Sequence, residues 1–93
     1  MSNFLLDLKI LDEKIKEAIA IAESNAISWE SKYNMIFSAE LSGRIFVLLK
    51  GFNMDDGYYD PDTIYKENVT HFINFLKTRQ EDIEVATRAL KKL

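Results

Sequence analysis

Apolar residues recur at helical spacing along most of the chain, and the pattern predicts an all-α fold: three long helices forming a small helical bundle. From about Asn3 to Ser24, the residues Phe4, Leu8, Leu11, Ile15, Ala18 and Ala22 fall at alternating intervals of four and three, one stripe along a helix. Ile19 widens that stripe, while Asp7, Lys9, Asp12, Glu13, Lys14, Lys16 and Glu17 form the wet side, with Asp12 and Lys16 spaced for an ion pair. Asn3 or Ser2 is suited to cap the start, and Ser24-Asn25 to end it.

A second helix is expected from Ser28, as N-cap, to Lys50. Trp29, Tyr33, Ile36, Phe37, Leu41, Ile45 and Leu48 make its main stripe, with Met35, Phe46, Val47 and Leu49 on other faces. A helix apolar on nearly all sides is normally held between partners. Ala39 and Gly43, beside Ser38 and Ser42, mark a place where another helix could approach closely. Lys50-Gly51-Phe52 reads as a C-terminus, with glycine at the left-handed position.

The third helix is expected to begin at Asp60-Pro61-Asp62-Thr63, with Asp60 or Asp62 as cap. Tyr65, Val69, Phe72, Leu76, Arg79, Ile83, Ala86, Leu90 and Leu93 then recur at four-three spacing, and only Arg79 breaks the apolar series. A helix this long would reach roughly 45–50 Å, longer than either of the others. A three-helix monomer would leave the far turns of its stripe uncovered. Either the helix breaks near Thr78-Arg79-Gln80 into a fourth, or the overhang, with Arg79, Ile83, Ala86 and Leu90, packs on a second copy as a homodimer.

Composition fits this picture. Ninety-three residues with 47 % apolar and 29 % charged side chains make one globular domain, residues 1–93. Three glycines and one proline agree with long elements and few turns. The absence of cysteine removes disulfides, thiolate metal sites and thiol nucleophiles. A net charge of −3 and a pI near 5.1 give no general attraction to nucleic acid or anionic lipid. The N-terminal stretch lacks a basic leader region, and no uncharged run approaches the length of a membrane span. A cytoplasmic location is expected.

Candidate chemistry concentrates in one connection, Gly51-Phe-Asn-Met-Asp-Asp-Gly-Tyr-Tyr-Asp-Pro-Asp-Thr63. An EF-hand loop with Gly57 at its invariant glycine would place Phe52, Met54 and Asp56 at the early ligand positions and Thr63 at the final acid. Three of those four residues cannot serve, so a standard calcium loop is excluded and no metal is expected. Segment 51–67 carries five acids against one lysine, interleaved with aromatics. Phe52, Asp55, Asp56, Tyr58, Tyr59, Asp60 and Asp62 therefore make a candidate surface for a protein partner with a basic face, carboxylates steering the encounter and rings supplying buried area. The alternative is a solvated turn whose tyrosines lie over the bundle end.

Catalysis finds little support. His71 stands alone beside the third helix's stripe, no glycine-rich phosphate loop exists, and no serine or threonine has a nucleophile's context. Glu40 and Arg44 read as an intrahelical ion pair. Arg79 reads either as a snorkelling or register-setting side chain, or as a contact for an anionic ligand at a subunit junction. No enzyme activity and no cofactor is expected. A helix-turn-helix is disfavoured because the 51–60 connection is long and acidic, and the helix after Asn25–Ser28 is too apolar for a groove.

The runs Ser28-Trp-Glu-Ser-Lys-Tyr-Asn-Met-Ile-Phe-Ser38, Leu41-Ser-Gly-Arg-Ile-Phe46 and Tyr58-Tyr-Asp-Pro-Asp-Thr63 resemble small uncharacterised proteins of bacteriophages and other mobile elements. The resemblance covers the middle of the chain and carries no catalytic motif. It implies a non-enzymatic interaction module that inhibits a host protein, defence complexes included. The alternative reading from the residues is a self-assembling helical scaffold or small-ligand binder, its site at a subunit junction.

Overall fold

The structure, a computed structural model, describes residues 3–54 and 64–92. Those residues form a small all-α bundle: α1 (Phe4–Glu23), α2 (Trp29–Ile36), a π turn (Ala39–Gly43), α3 (Arg44–Gly51) and α4 (Tyr65–Lys91).

α1 forms where the four-three stripe places it. Asn3 is extended, and its side-chain oxygen accepts the Leu6 N–H at 3.0 Å, which satisfies one of the helix's open donors. Leu8, Leu11, Ile15 and Ala18 are buried. On the wet side, Lys16 donates to the Asp12 carboxylate 2.8 Å away. That hydrogen bond, with the attraction of the carboxylate's charge, raises the lysine's pKa above its ordinary value.

The expected second helix is two helices. Ser28 caps α2 as anticipated, accepting the Ser31 N–H at 3.2 Å, but the helix ends at Ile36. Ser38 turns extended and its hydroxyl accepts the Leu41 N–H, restarting the chain as a π turn that runs on into α3. The reason lies in the spacing of the buried positions Ile36, Leu41, Ile45 and Leu49. The first interval is five residues, too wide for one α-helical face, and the non-helical Phe37 and extended Ser38 between them reset the phase. Leu49 is therefore buried where the unbroken helix would have buried Leu48, which is only half-buried. Ser42 donates its hydroxyl to the Ser38 carbonyl, and a Cβ at Gly43 would meet nothing closer than 3.7 Å, so the close helix approach expected beside Ala39 and Gly43 does not occur among the described residues.

α3 closes with a left-handed residue, but it is Asn53 (φ 56°) and not Gly51. The Asn53 N–H bonds to the Lys50 carbonyl and the Met54 N–H to that of Leu49, the paired bonds of a Schellman ending. Asparagine tolerates this conformation because its short polar side chain bonds locally.

α4 also departs from expectation at its start. It begins at Tyr65 behind an extended Ile64 that offers no side-chain cap. It does not break at Thr78–Gln80, and its 27 residues run about 40 Å. The Arg79 guanidinium lies over the Phe75 ring and pairs with Asp82 at 3.1 Å, so its charge stays at the helix edge and the stripe continues past it.

α1 is antiparallel to α4: Glu23 at its end pairs with Lys77, while Leu5 and Leu8 at its beginning share a groove with Ile83 and Lys91. α3 is antiparallel to α1 as well, since Phe52 just beyond it meets Phe4 at 5.9 Å. α2 lies along the first turns of α4, beyond the end of α1, with Tyr33 against Tyr65 and Phe37 against Phe72. α2 covers the first turns of α4 and α1 those through Ile83, while Ala86 and Leu90 beyond them are half-buried. Met54 and Ile64 accordingly lie at opposite ends of the bundle.

Candidate functional site

Large apolar side chains reach the surface where α2 and α4 begin. Trp29 is 37 % exposed, Ile64 65 % and Tyr65 45 %. The Tyr33 and Tyr65 rings stand 5.0 Å apart, and the ammonium groups of Lys32 and Lys66 lie 4.0 and 5.9 Å over the Trp29 ring. Pattern alone assigned Trp29 and Tyr65 to buried stripes. They are exposed because α1 ends below them, leaving α2 and α4 without a third helix at this end among the described residues. Glu30 and Glu67 stand exposed on the same first turns, and Ile64 joins the patch directly to segment 55–63.

Sequence reasoning gave Lys32 no role, and no signal in the sequence marks it. It is 5 % exposed, and its ammonium donates to the Ala22 carbonyl at 2.7 Å. That carbonyl belongs to the last turn of α1, where backbone acceptors are open and the helix dipole favours a cation. Trp29 shields the same ammonium from water. Lys32 therefore locks α2 to the end of α1. Lys32→Met keeps the aliphatic stem and removes the charge; in urea unfolding it is expected to destabilise the protein by about 1.5–3 kcal/mol, the range for a hydrogen bond made by a charged group. Lys14→Met, on the surface, is the comparison and should stay within about 0.5 kcal/mol.

Of the residues singled out for partner docking, Phe52 is half-buried against Phe4 at the opposite end of the bundle from Trp29. Asp55, Asp56, Tyr58, Tyr59, Asp60 and Asp62 lie outside the described residues. Of those singled out for self-association, Ile83 is 3 % exposed and packs within its own chain against α1. Arg79, Ala86 and Leu90 are half-buried along α4. His71 is exposed on α4. Glu40 and Arg44 form no ion pair among the described residues; Glu40 sits in the π turn, whose wider winding takes positions four apart out of line. Both instead border a hollow with Ile10 and Lys14.

A larger groove, about 750 Å³, runs between the first half of α1 and the last half of α4. Leu5, Lys9, Asp12, Glu84, Arg88 and Lys91 are among its lining residues, together with the buried Leu8 and Ile83.

These features define a small helical bundle with an exposed aromatic end. Among the described residues there is no cluster of three or more potential metal ligands and no helix long and apolar enough to cross a membrane. Comparison with protein-family models, with curated proteins and with solved structures finds no match.

Proposed function

We propose that the protein is a small non-enzymatic interaction module that docks on a partner with a basic surface, in the manner of a phage-encoded inhibitor of a host protein. The observation that carries this reading is the exposed aromatic end, Trp29, Ile64 and Tyr65, continuous in the chain with the acidic, tyrosine-bearing segment 55–63. Interface energy concentrates in rings that desolvate on contact, and tryptophan and tyrosine are the usual anchors. Carboxylates around such anchors raise the encounter rate with a cationic partner and make it salt-sensitive. Lys32 does not oppose this, because its ammonium is turned inward to Ala22. The proposed surface comprises Trp29, Ile64 and Tyr65 with the acidic segment joined to Ile64, of which Tyr58, Tyr59, Asp60 and Asp62 are nearer in the chain and Asp55 and Asp56 farther; Phe52 stands apart from the aromatic end.

The test is a bacterial-lysate capture with quantified affinity for the protein retained. Trp29→Ala combined with Tyr65→Ala should weaken retention by at least about thirtyfold, the effect of one anchor losing some 2 kcal/mol. Reversing Asp55, Asp56 and Asp60 to lysine should abolish it, whereas Val47→Ala, on the exposed face of α3, should leave it unchanged. Equal retention by all four proteins would sink the proposal. The remaining alternative, self-assembly through α4, would draw on Arg79, Ala86 and Leu90, since Ile83 is already occupied within the chain.

A further inference from the structure

Trp29 and Lys32 stand three residues apart in α2, so their side chains share one face of the helix and can touch. The backbone beneath them is pinned by the cap: the Ser28 hydroxyl accepts the Ser31 N–H at 3.2 Å and donates to the Ser31 hydroxyl at 3.0 Å. We infer that Lys32 is the positioning residue of the aromatic end, its anchored ammonium setting the Trp29 indole in one outward-facing pose before any partner arrives. What the ring is set for rests on the docking reading; the pose itself does not.

Lys32 carries a fixed charge. Its ammonium donates to the Ala22 carbonyl at 2.7 Å and the residue is 5 % exposed, so the charge cannot swing into water as a surface lysine's does. The centroid of the Trp29 ring lies 4.0 Å from that ammonium. A cation so placed is attracted to the face of the ring, and more strongly once it has lost its water. The last turn of α1 thus holds Lys32, and Lys32 holds Trp29. Lys66 does not repeat the arrangement. It is exposed, and at 5.9 Å its ammonium stands at the outer limit of the interaction.

The consequence is a lower cost of binding. An exposed side chain changes rotamer within picoseconds to nanoseconds, and a partner that docks on it must stop that motion. Each such side chain stilled at an interface weakens binding about two- to tenfold. A ring posed in advance avoids that loss, and Trp29 at 37 % exposure keeps open surface for contact.

Trp29 is the chain's single tryptophan, so its fluorescence reports this ring alone. Time-resolved anisotropy, excited beyond the tyrosine absorption, should show the wild-type indole tumbling with the whole molecule, without a large sub-nanosecond component. Lys32→Met should introduce that fast component and increase quenching by acrylamide, while circular dichroism confirms the fold. Lys66→Met should do neither. Ile45→Val, a lesion at a fully buried position on α3, should lower stability and leave the ring as rigid as before, which separates posing the ring from a merely structural role. In the lysate capture, Lys32→Met should lose about two- to tenfold in affinity, less than the combined Trp29→Ala and Tyr65→Ala variant. A large fast component in the wild type would overturn the inference whether or not Lys32→Met folds. So would a Lys32→Met ring as rigid as the wild type's, equal loosening by Lys66→Met, or full retention by Lys32→Met where the Trp29→Ala and Tyr65→Ala variant is lost. The docking reading fails on a different result, equal retention by the wild type and that double variant, and the anisotropy then still decides the pose.

Discussion

Phe72→Ala is expected to remove most of the protein's stability. The side chain is fully buried, with its ring 5.0 Å from Phe37 and 5.5 Å from Phe46. It thus ties α4 to the last residue of the α2 turn and to α3 at once. Cutting a buried phenylalanine back to alanine costs about 3–5 kcal/mol, from lost burial and from the cavity left behind. Two ring pairs are lost with it, each adding about 0.5–1.5 kcal/mol beyond area. A domain of this size holds only about 5–14 kcal/mol in total. The urea midpoint should therefore fall by about 2 M or more, for a slope near 1–2 kcal/mol per molar. Phe75→Ala, three residues on but half-buried, should shift it much less. A Phe72→Ala protein within about 1 kcal/mol of the wild type would mean that the three helices do not converge on this ring.

Ile83→Glu should unfold the chain instead of splitting an oligomer. Pattern reading put Ile83 on an overhanging stripe open to a second copy. The structure buries it against α1, at 3 % exposure, beside Leu8. A carboxylate there loses its hydration, while the isoleucine's own packing is forfeited. The combined loss should exceed about 4 kcal/mol, in the range reserved for core lesions. Leu90→Glu, at a half-buried position near the helix end, gives the contrast. If sedimentation and circular dichroism found Ile83→Glu folded but of lower mass than the wild type, the self-assembly reading would return and the proposed packing of α1 on α4 would fail. Loss of helical signal without any change in the wild type's own mass upon dilution supports the packing described here.

The helical class was legible because burial follows period. Leu8, Leu11, Ile15 and Ala18, and Val69, Phe72, Leu76 and Ile83, all on the four-three stripes, are buried, whereas Phe4 at the head of the first stripe is 50 % exposed. The middle of the chain was not legible in the same way. No proline lies between Trp29 and Lys50, and the interval of five from Ile36 to Leu41 hides among apolar neighbours. The usable signal was Ser38 within that run, a residue that competes for backbone donors and favours caps over helix interiors. Trp29 and Tyr65 were misassigned for a different reason. Periodicity tells which face of a helix is apolar, but not how far a neighbour extends along it, and α1 stops short of both rings. Lys32 was invisible for the same cause, since its partner is a backbone carbonyl on another helix. The acidic segment was legible as composition only, and Asp55 to Thr63 lie outside the described residues.

The arrangement of α1 between helices made later has a consequence for biosynthesis. Leu8, Leu11 and Ile15 are made about sixty residues before the surface around Leu76 and Ile83 that helps to bury them. At synthesis rates of about 5–20 residues per second the delay is several seconds. An isolated helix of this length is marginal in water and relaxes in about a microsecond. The nascent first helix therefore forms and melts very many times with its apolar stripe open, and over that interval it presents itself to any chaperone at the tunnel exit. Docking of the turns around Leu76 and Ile83 ends that exposure.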